Sequence, residues 1–224
     1  MAILLLALAG GFVALGIWQL ARREWKHALI EAVETRSHAA PVAAPPVAAA
    51  SDAYRRIRAT GRFLPGRRTL VQALTDLGPG YWVLAPLDTG RFTLLVNRGF
   101  VGKANRDALA PEPTGTVTVT GLLRLTEPKG GFLRSNDPAA DRWFSRDVAA
   151  IAKARALPRP APYFLDADAS ANTPGQPVGG LTVIRFTDNH MTYALTWFGM
   201  AGLCVWGLWR LRTARDHDED GDAP

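Results

Sequence analysis

The chain has four histidines and one cysteine, and between Ala39 and Asn189 it has neither. A Cys/His zinc or copper centre needs several such ligands converging, and a Ser-His-Asp or Cys-His nucleophile needs an imidazole base. Neither device can be built inside that long middle segment. The histidine whose setting invites chemistry is His190, in NHMTYALTWFG (189–199), followed by Tyr193 and Trp197 at i+3 and i+7 on one helical face. A neutral imidazole beside aromatic rings is a good axial ligand for haem iron, and interfacial Arg or Lys can meet the propionates. Trp18, Gln19, Arg22, Arg23 and Trp25 come within reach of His190 if the segment that carries them pairs antiparallel with the segment that His190 opens. The residues also allow a plainer reading, and taken alone they favour it: His190, Tyr193 and Trp197 are amphipathic rings anchoring a helix at headgroup depth. His27, beyond the first apolar run, is read as exposed rather than as a second ligand, and Met191 points away from its neighbour's iron.

Other chemistries find less support. Asp76, Asp88, Asp107, Glu127, Asp137, Asp141, Asp147, Asp166 and Asp168 supply carboxylates, but several lie in turn contexts such as NDP and DTG, where Asp caps and bends the chain. A two-carboxylate hydrolase requires a pair of them to converge in a pocket. The glycines of GPG (78–80) and GG (130–131) match no phosphate-cradling pattern. Cys204, alone, reads as a small apolar residue. The net charge of +6 and a pI near 10.0 are carried by dispersed basic residues without a nucleic-acid motif. Anionic lipid or propionates are the expected counter-charges, and no nucleic acid.

Two elements must position His190. Ala2 to Ala21 contains no charge, and Gln19 is its one strongly polar member; Thr192 to Trp209 is a second uncharged run, followed by Arg210 and Arg212. At about 1.5 Å per helical residue each approaches or spans a hydrocarbon core of roughly 30 Å, so both read as transmembrane helices. Mean hydropathy near zero hides them by averaging. The first run is read as retained rather than as a cleaved signal, because no basic residue precedes it and the pattern continues helically through WQLARREWKHALIEAVE. A bacterial cell membrane is the simplest home. The two small-residue pairs Ala7/Gly11 and Gly10/Ala14, with Gly199/Gly202, offer smooth surfaces for a neighbouring helix or an isoprenoid tail.

The organisation expected is a first transmembrane helix with its extension (1–36), an Ala/Pro linker (37–52), a β-rich domain (53–189), a second transmembrane helix (190–212) and an acidic disordered tail (213–224). Within the domain, YRRIRATGRF, RTLVQAL, YWVLAPL, FTLLVNRGFV, TVTVTGLLRL, APYFLDA and LTVIRF read as short strands. PLDTGRFT joins two of them as a hairpin, and RDVAAIAKARAL (146–157) is the one helix, stopped by Pro158. The fold class is therefore an α+β membrane protein: two transmembrane helices flanking a mainly antiparallel, barrel-like β domain with one short helix. A positive-inside count over Arg22, Arg23, Lys26, Arg36 and Arg185 against Arg210, Arg212 and Arg215 leans towards a cytoplasmic domain.

The blocks LGIWQLARREWK (15–26), YRRIRATGRF (54–63), PGYWVLAPLDTGRFTLLVNRGFV (79–101), VTGLLRLTEPKGGF (119–132), DPAADRWFSRD (137–147) and GGLTVIRFTDNHMTYALTWFGMA (179–201) resemble, in the same order, the Surfeit-locus family of cytochrome c oxidase assembly proteins. The resemblance covers nearly the whole chain, and VNRGF and NHMTYALTWFG are its most telling blocks. It departs at Phe100, where the family often has Trp, and at Met191, where Leu is common. It implies a bacterial inner-membrane protein with a periplasmic domain and cytoplasmic termini, against the positive-inside count. It also implies a non-enzymatic chaperone that binds or delivers haem a, with His190 as axial ligand and Trp18 as a contact, to cytochrome c oxidase subunit I, with a haem a synthase as a further partner. Tyr193, Trp197 and Arg22 complete the expected cofactor-binding set. A haem-free scaffold that stabilises subunit I by helix packing is the alternative. Asn97, Arg98 and Gly99 belong to a family signature, read physically as a strand end where Gly99 relieves a tight turn and Arg98 anchors that turn or faces the membrane.

Overall fold

Alternation of buried and exposed residues marks β2 (Arg56–Phe63) and β6 (Val117–Leu125), each with one face on a core and one towards water. By contrast β5 (Thr93–Gly102) and β7 (Pro160–Ala167) are buried almost throughout, so both of their faces are covered. The computed structural model describes residues 1–128, 130, 134–169, 177–182 and 188–220, with side chains as far as residue 213. It divides into two compact units, Met1–Ala32 with Ile184–Pro224, and Val33–Val183.

In the second unit the remaining strands are β1 (Val42–Ala43), β3 (Thr69–Thr75) and β4 (Gly78–Asp88), and the strand order is β1-β2-β6-β7-β5-β4-β3. A further pairing of β2 with β4, Arg62 opposite Asp88 and Phe63 opposite Leu87, closes the five central strands into a ring. Closure removes the central edges, which would otherwise present unpaired backbone. Most pairings are antiparallel, as expected; β5 with β7 and β1 with β2 are parallel. The β4–β5 hairpin forms over PLDTGRFT. The strand expected over LTVIRF lies, from residue 183 onward, outside the described residues.

Two cores use the two faces of β5 and β7. Leu94, Val96, Tyr163 and Leu165 point to the ring interior with Ile57, Leu87, Val119 and Leu123. Leu95 and Phe164 point the other way and pack with Leu84, Trp143, Val148 and Ile151, beneath α2 (Val148–Ala154). The helix occupies the middle of the segment expected, 146–157. Its start is set by Asp147, whose carboxylate accepts from the Ala150 N–H at 3.1 Å, and Ala156, with φ of 48°, ends it before Pro158 is reached.

Residues 37–52 are not a free spacer. The first helix, α1 (Ala2–His38), runs into them, β1 pairs with β2, and Ala44 and Ala48 pack against the ring interior. The Ala44 N–H donates to the Arg58 carbonyl, and the Tyr163 hydroxyl donates to the Pro45 carbonyl at 2.6 Å. Prolines suit such a strap, since an extended segment at a sheet edge needs few donors. Burial pushes the Tyr163 phenol well above its ordinary range.

The VNRGF segment differs from its sequence reading. Gly99 (φ 127°) lies within β5, not in a turn, and a Cβ there would collide with the Val178 carbonyl; Phe100 and Val178 exchange two backbone hydrogen bonds of 2.9 Å across that approach. Arg98 is 2 % exposed, on the same strand face as Leu94 and Val96, with its guanidinium 5.7 Å from the Phe63 ring. It therefore neither anchors a turn nor reaches outward. Burial lowers its pKa, and Glu112 opposes that shift.

In the first unit α1 and α3 (His190–Asp220) are long and apolar enough to cross a membrane. As described, α3 continues through residues 213–220, where the composition suggested an acidic disordered tail.

Candidate functional site

α1 and α3 run antiparallel, because contacts move backwards along α3 as they move forwards along α1: Leu5 lies by Gly207, Gly16 by Phe198 and Gln19 by His190. The tightest approach is at Gly16, where a Cβ would stand 2.5 Å from the Phe198 ring. Gly10, Gly11, Gly199 and Gly202, read as smooth surfaces for a neighbouring helix or an isoprenoid tail, have nothing within 4 Å of where their Cβ would be. Contact needs the right helical face, which composition does not specify, so α1 and α3 meet at Gly16 and Gly207 while those four line open faces.

Beyond Gly16 the start of α3 meets α1 in a polar doorstep. Asp188 holds it together: one carboxylate oxygen accepts the His190 backbone N–H at 3.0 Å, and the other accepts His27 Nε2 at 2.8 Å and lies 3.6 Å from Arg23. The His190 N–H, then the His27 ring, hold the Asp188 carboxyl below the usual carboxylate range. His27 is thus a partner of Asp188 and half-exposed, as its reading as a surface residue expects.

His190 itself faces a cleft of about 210 Å³ lined by Trp18, Gln19, Lys26, Asn189, His190 and Tyr193. Its Nδ1 donates to the Gln19 side-chain oxygen at 2.8 Å, and its Nε2 has no hydrogen-bond partner among the described residues. Of the residues expected at the site, the structure brings together His190, Trp18 and Tyr193. Trp197 sits two turns deeper, stacked on Phe12 with ring centroids 5.7 Å apart, and so serves helix packing. Arg22 is exposed and lies over the Trp25 ring at 4.4 Å, outside the cleft lining. Gln19, Lys26 and Asn189 join the lining. Gln19 carried a signal in the sequence, as the one strongly polar side chain of an uncharged run.

The donor set fits a haem by chemistry. One imidazole nitrogen is held and the other is unengaged, two large aromatic rings flank it, and Lys26 brings positive charge for carboxylates. The cleft is smaller than the roughly 300–1,000 Å³ that encloses a small molecule. A cleft of this size would take no more than one edge of a macrocycle.

The carboxylates of the β domain meet elsewhere. Asp166, 4 % exposed, accepts from Asn97 Nδ2 (2.8 Å), Arg124 (3.0 Å), Arg146 (3.3 Å) and Thr182 (2.9 Å), while Glu127 takes Arg146 through both its oxygens, at 2.6 and 2.9 Å. Burial alone would lower the Arg146 pKa, but Glu127 and Asp166 outweigh it and raise the value. Carboxylates so saturated by guanidinium make poor general acids or bases. Among the described residues no three His, Cys, Asp or Glu side chains cluster to hold a metal ion. Asn97 thus ties β5 to β7, a role its sequence context did not disclose.

A model of the SURF1 family matches residues 6–202. Surfeit locus protein 1 of Rattus norvegicus is 34% identical over 221 residues, covering 87% of this chain and 70% of the relative. The human Surfeit locus protein 1 is 31% identical over 221 residues, with 87% and 71% covered. A SURF1-like protein of Monosiga brevicollis is 32% identical over 215 residues, with 87% and 80% covered.

Proposed function

The chain belongs to the SURF1 family, and on that premise we propose that it is a non-enzymatic membrane assembly factor for a haem-copper cytochrome c oxidase, holding haem a through His190 for insertion into subunit I. The observation that carries this reading is the His190 ring at the mouth of the paired helices, with Nδ1 committed to Gln19 and Nε2 without a hydrogen-bond partner among the described residues. When bound, the haem would supply an iron able to accept a neutral nitrogen donor. His190 provides that nitrogen, Trp18 and Tyr193 cover the ring edge, and Lys26 draws carboxylates to the interface. His190 would hold such a group by a single protein bond, which suits a carrier because release would need only that bond to break. In this reading the β domain lies on the periplasmic side of a bacterial inner membrane, the termini are cytoplasmic, and subunit I or a haem a synthase docks with it.

The test is the optical spectrum of the protein purified from cells that make haem a. Wild type retains a haem signal and His190→Ala loses it; equal retention in both rules out ligation by His190. The second reading, a haem-free scaffold for subunit I, draws on the open small-residue faces at Gly10, Gly11, Gly199 and Gly202. It requires Gly10→Leu or Gly11→Leu to impair oxidase assembly while His190→Ala does not.

A further inference from the structure

We infer that Gln19 is the positioning residue of the His190 site: its side-chain carbonyl fixes the imidazole as the Nδ1–H tautomer and aims the Nε2 lone pair into the cleft, and its neutrality keeps the grip on iron weak. The consequence for iron rests on the function proposed above; the tautomer does not.

Gln19 and His190 are 171 positions apart and meet at 2.8 Å, Gln19 Oε1 to His190 Nδ1. An amide in an otherwise uncharged apolar run is costly away from water unless it finds a partner, and His190 is the partner it has among the described residues. A carbonyl oxygen only accepts, so the bonded ring nitrogen carries the hydrogen and the other keeps its lone pair. Both groups are anchored. The His190 backbone is tied to Asp188 at the start of α3, and Gln19 follows Gly16 by three residues, one turn beyond the closest helix approach. The ring is therefore held at Nδ1 by an anchored partner and carried on an anchored backbone, which suits a site that draws on one ligand.

The identity of the acceptor sets the strength. A carboxylate behind a ligating imidazole raises its basicity and tightens metal binding, whereas an amide oxygen orients the ring with little added charge. The doorstep carboxylate of Asp188 is spent on His27, Arg23 and the His190 backbone and, among the described residues, does not bond the His190 ring. An amide behind the ligand suits a protein that must hand its cargo on.

The test uses the full chain in lipid nanodiscs with ¹⁵N-labelled histidine, above the ordinary imidazole pKa of about 6.5. Wild type is expected to show His190 with a protonated Nδ1 and a bare Nε2. Gln19→Leu should move the ring to the Nε2–H form that free imidazoles prefer and weaken hemin binding about 10-fold, whereas Gln19→Glu should keep the Nδ1–H form and bind hemin several-fold more tightly. An Nε2–H ring in wild type or in Gln19→Glu, or an unchanged tautomer in Gln19→Leu, overturns the inference. Hemin bound equally by His190→Ala and wild type overturns the ligand role instead, with the tautomer result standing by itself.

Discussion

Replacing Asp166 by Asn keeps the shape of the side chain and removes its charge, leaving Arg124 and Arg146 with Glu127 as their remaining anion. The amide nitrogen would also face a donor, since Asp166 Oδ1 accepts from Asn97 and Arg146 and Oδ2 from Arg124 and Thr182. Removing one partner from a buried ionic network costs about 3–5 kcal/mol. Glu127 still holds Arg146 through two bonds and the Arg124 side chain is 19% exposed, so the lower end, about 3 kcal/mol, applies here. For a domain of this size that is a fall in Tm of roughly 6–12 °C. The measurement is thermal unfolding of the detergent-solubilised chain followed by tryptophan fluorescence, with Trp82 reporting locally because Arg146 lies 5.8 Å from its ring. A companion Arg146→Met and the double variant complete a cycle in which the two losses are expected to overlap by at least about 1 kcal/mol. A fall in Tm below about 3 °C, or strict additivity, would refute the claim that Asp166 joins β5, β6 and β7 electrostatically.

Three further outcomes follow from other contacts. Gly99→Ala places a Cβ against the Val178 carbonyl at a positive φ, so it should cost about 2–4 kcal/mol, from backbone strain plus weakening of two hydrogen bonds, read as a lowered urea midpoint. Tyr163→Phe removes the bond to the Pro45 carbonyl; it should cost about 1 kcal/mol and make residues 39–52 more susceptible to limited proteolysis, and unchanged cleavage would count against the strap. The depressed Asp188 pKa predicts a doorstep stabilised above the ordinary carboxylate pKa of about 3.9 and loosened as pH falls through the lower folded value. Acid quenching or dequenching of tryptophan emission below about pH 4 should therefore diminish in Asp188→Asn, and an identical acid response in both proteins would exclude Asp188 as the group responsible.

Much of the architecture was legible because it depends on local chemistry. Runs of β-branched and aromatic residues between glycines and prolines identify β2 to β7, since strand preference is written into neighbouring residues. The same holds for α2, whose Asp147 cap precedes the apolar turn it starts. The docking of residues 37–52 is not legible in the sequence for a physical reason: proline and alanine specify an extended chain but not the surface on which it lies, and the carbonyl that Tyr163 bonds is 118 positions away. Arg98 misled in the same way. A charged residue near a strand end suggests exposure, whereas its burial follows from strand parity with Leu94 and Val96 and from ring closure by β4 with β2.

The amino-acid order alone determined that two uncharged runs would be membrane-capable helices, that the middle would be β structure without an imidazole or thiol, and that His190 would stand where polar chain meets apolar helix. Those features depend on residue type and short-range spacing. Only the tertiary structure decided which helical faces meet, at Gly16 rather than at Gly10 and Gly11, and which ring nitrogen of His190 is engaged. A helix has many faces of similar composition, and the choice among them is made by side chains more than a hundred residues apart in the sequence.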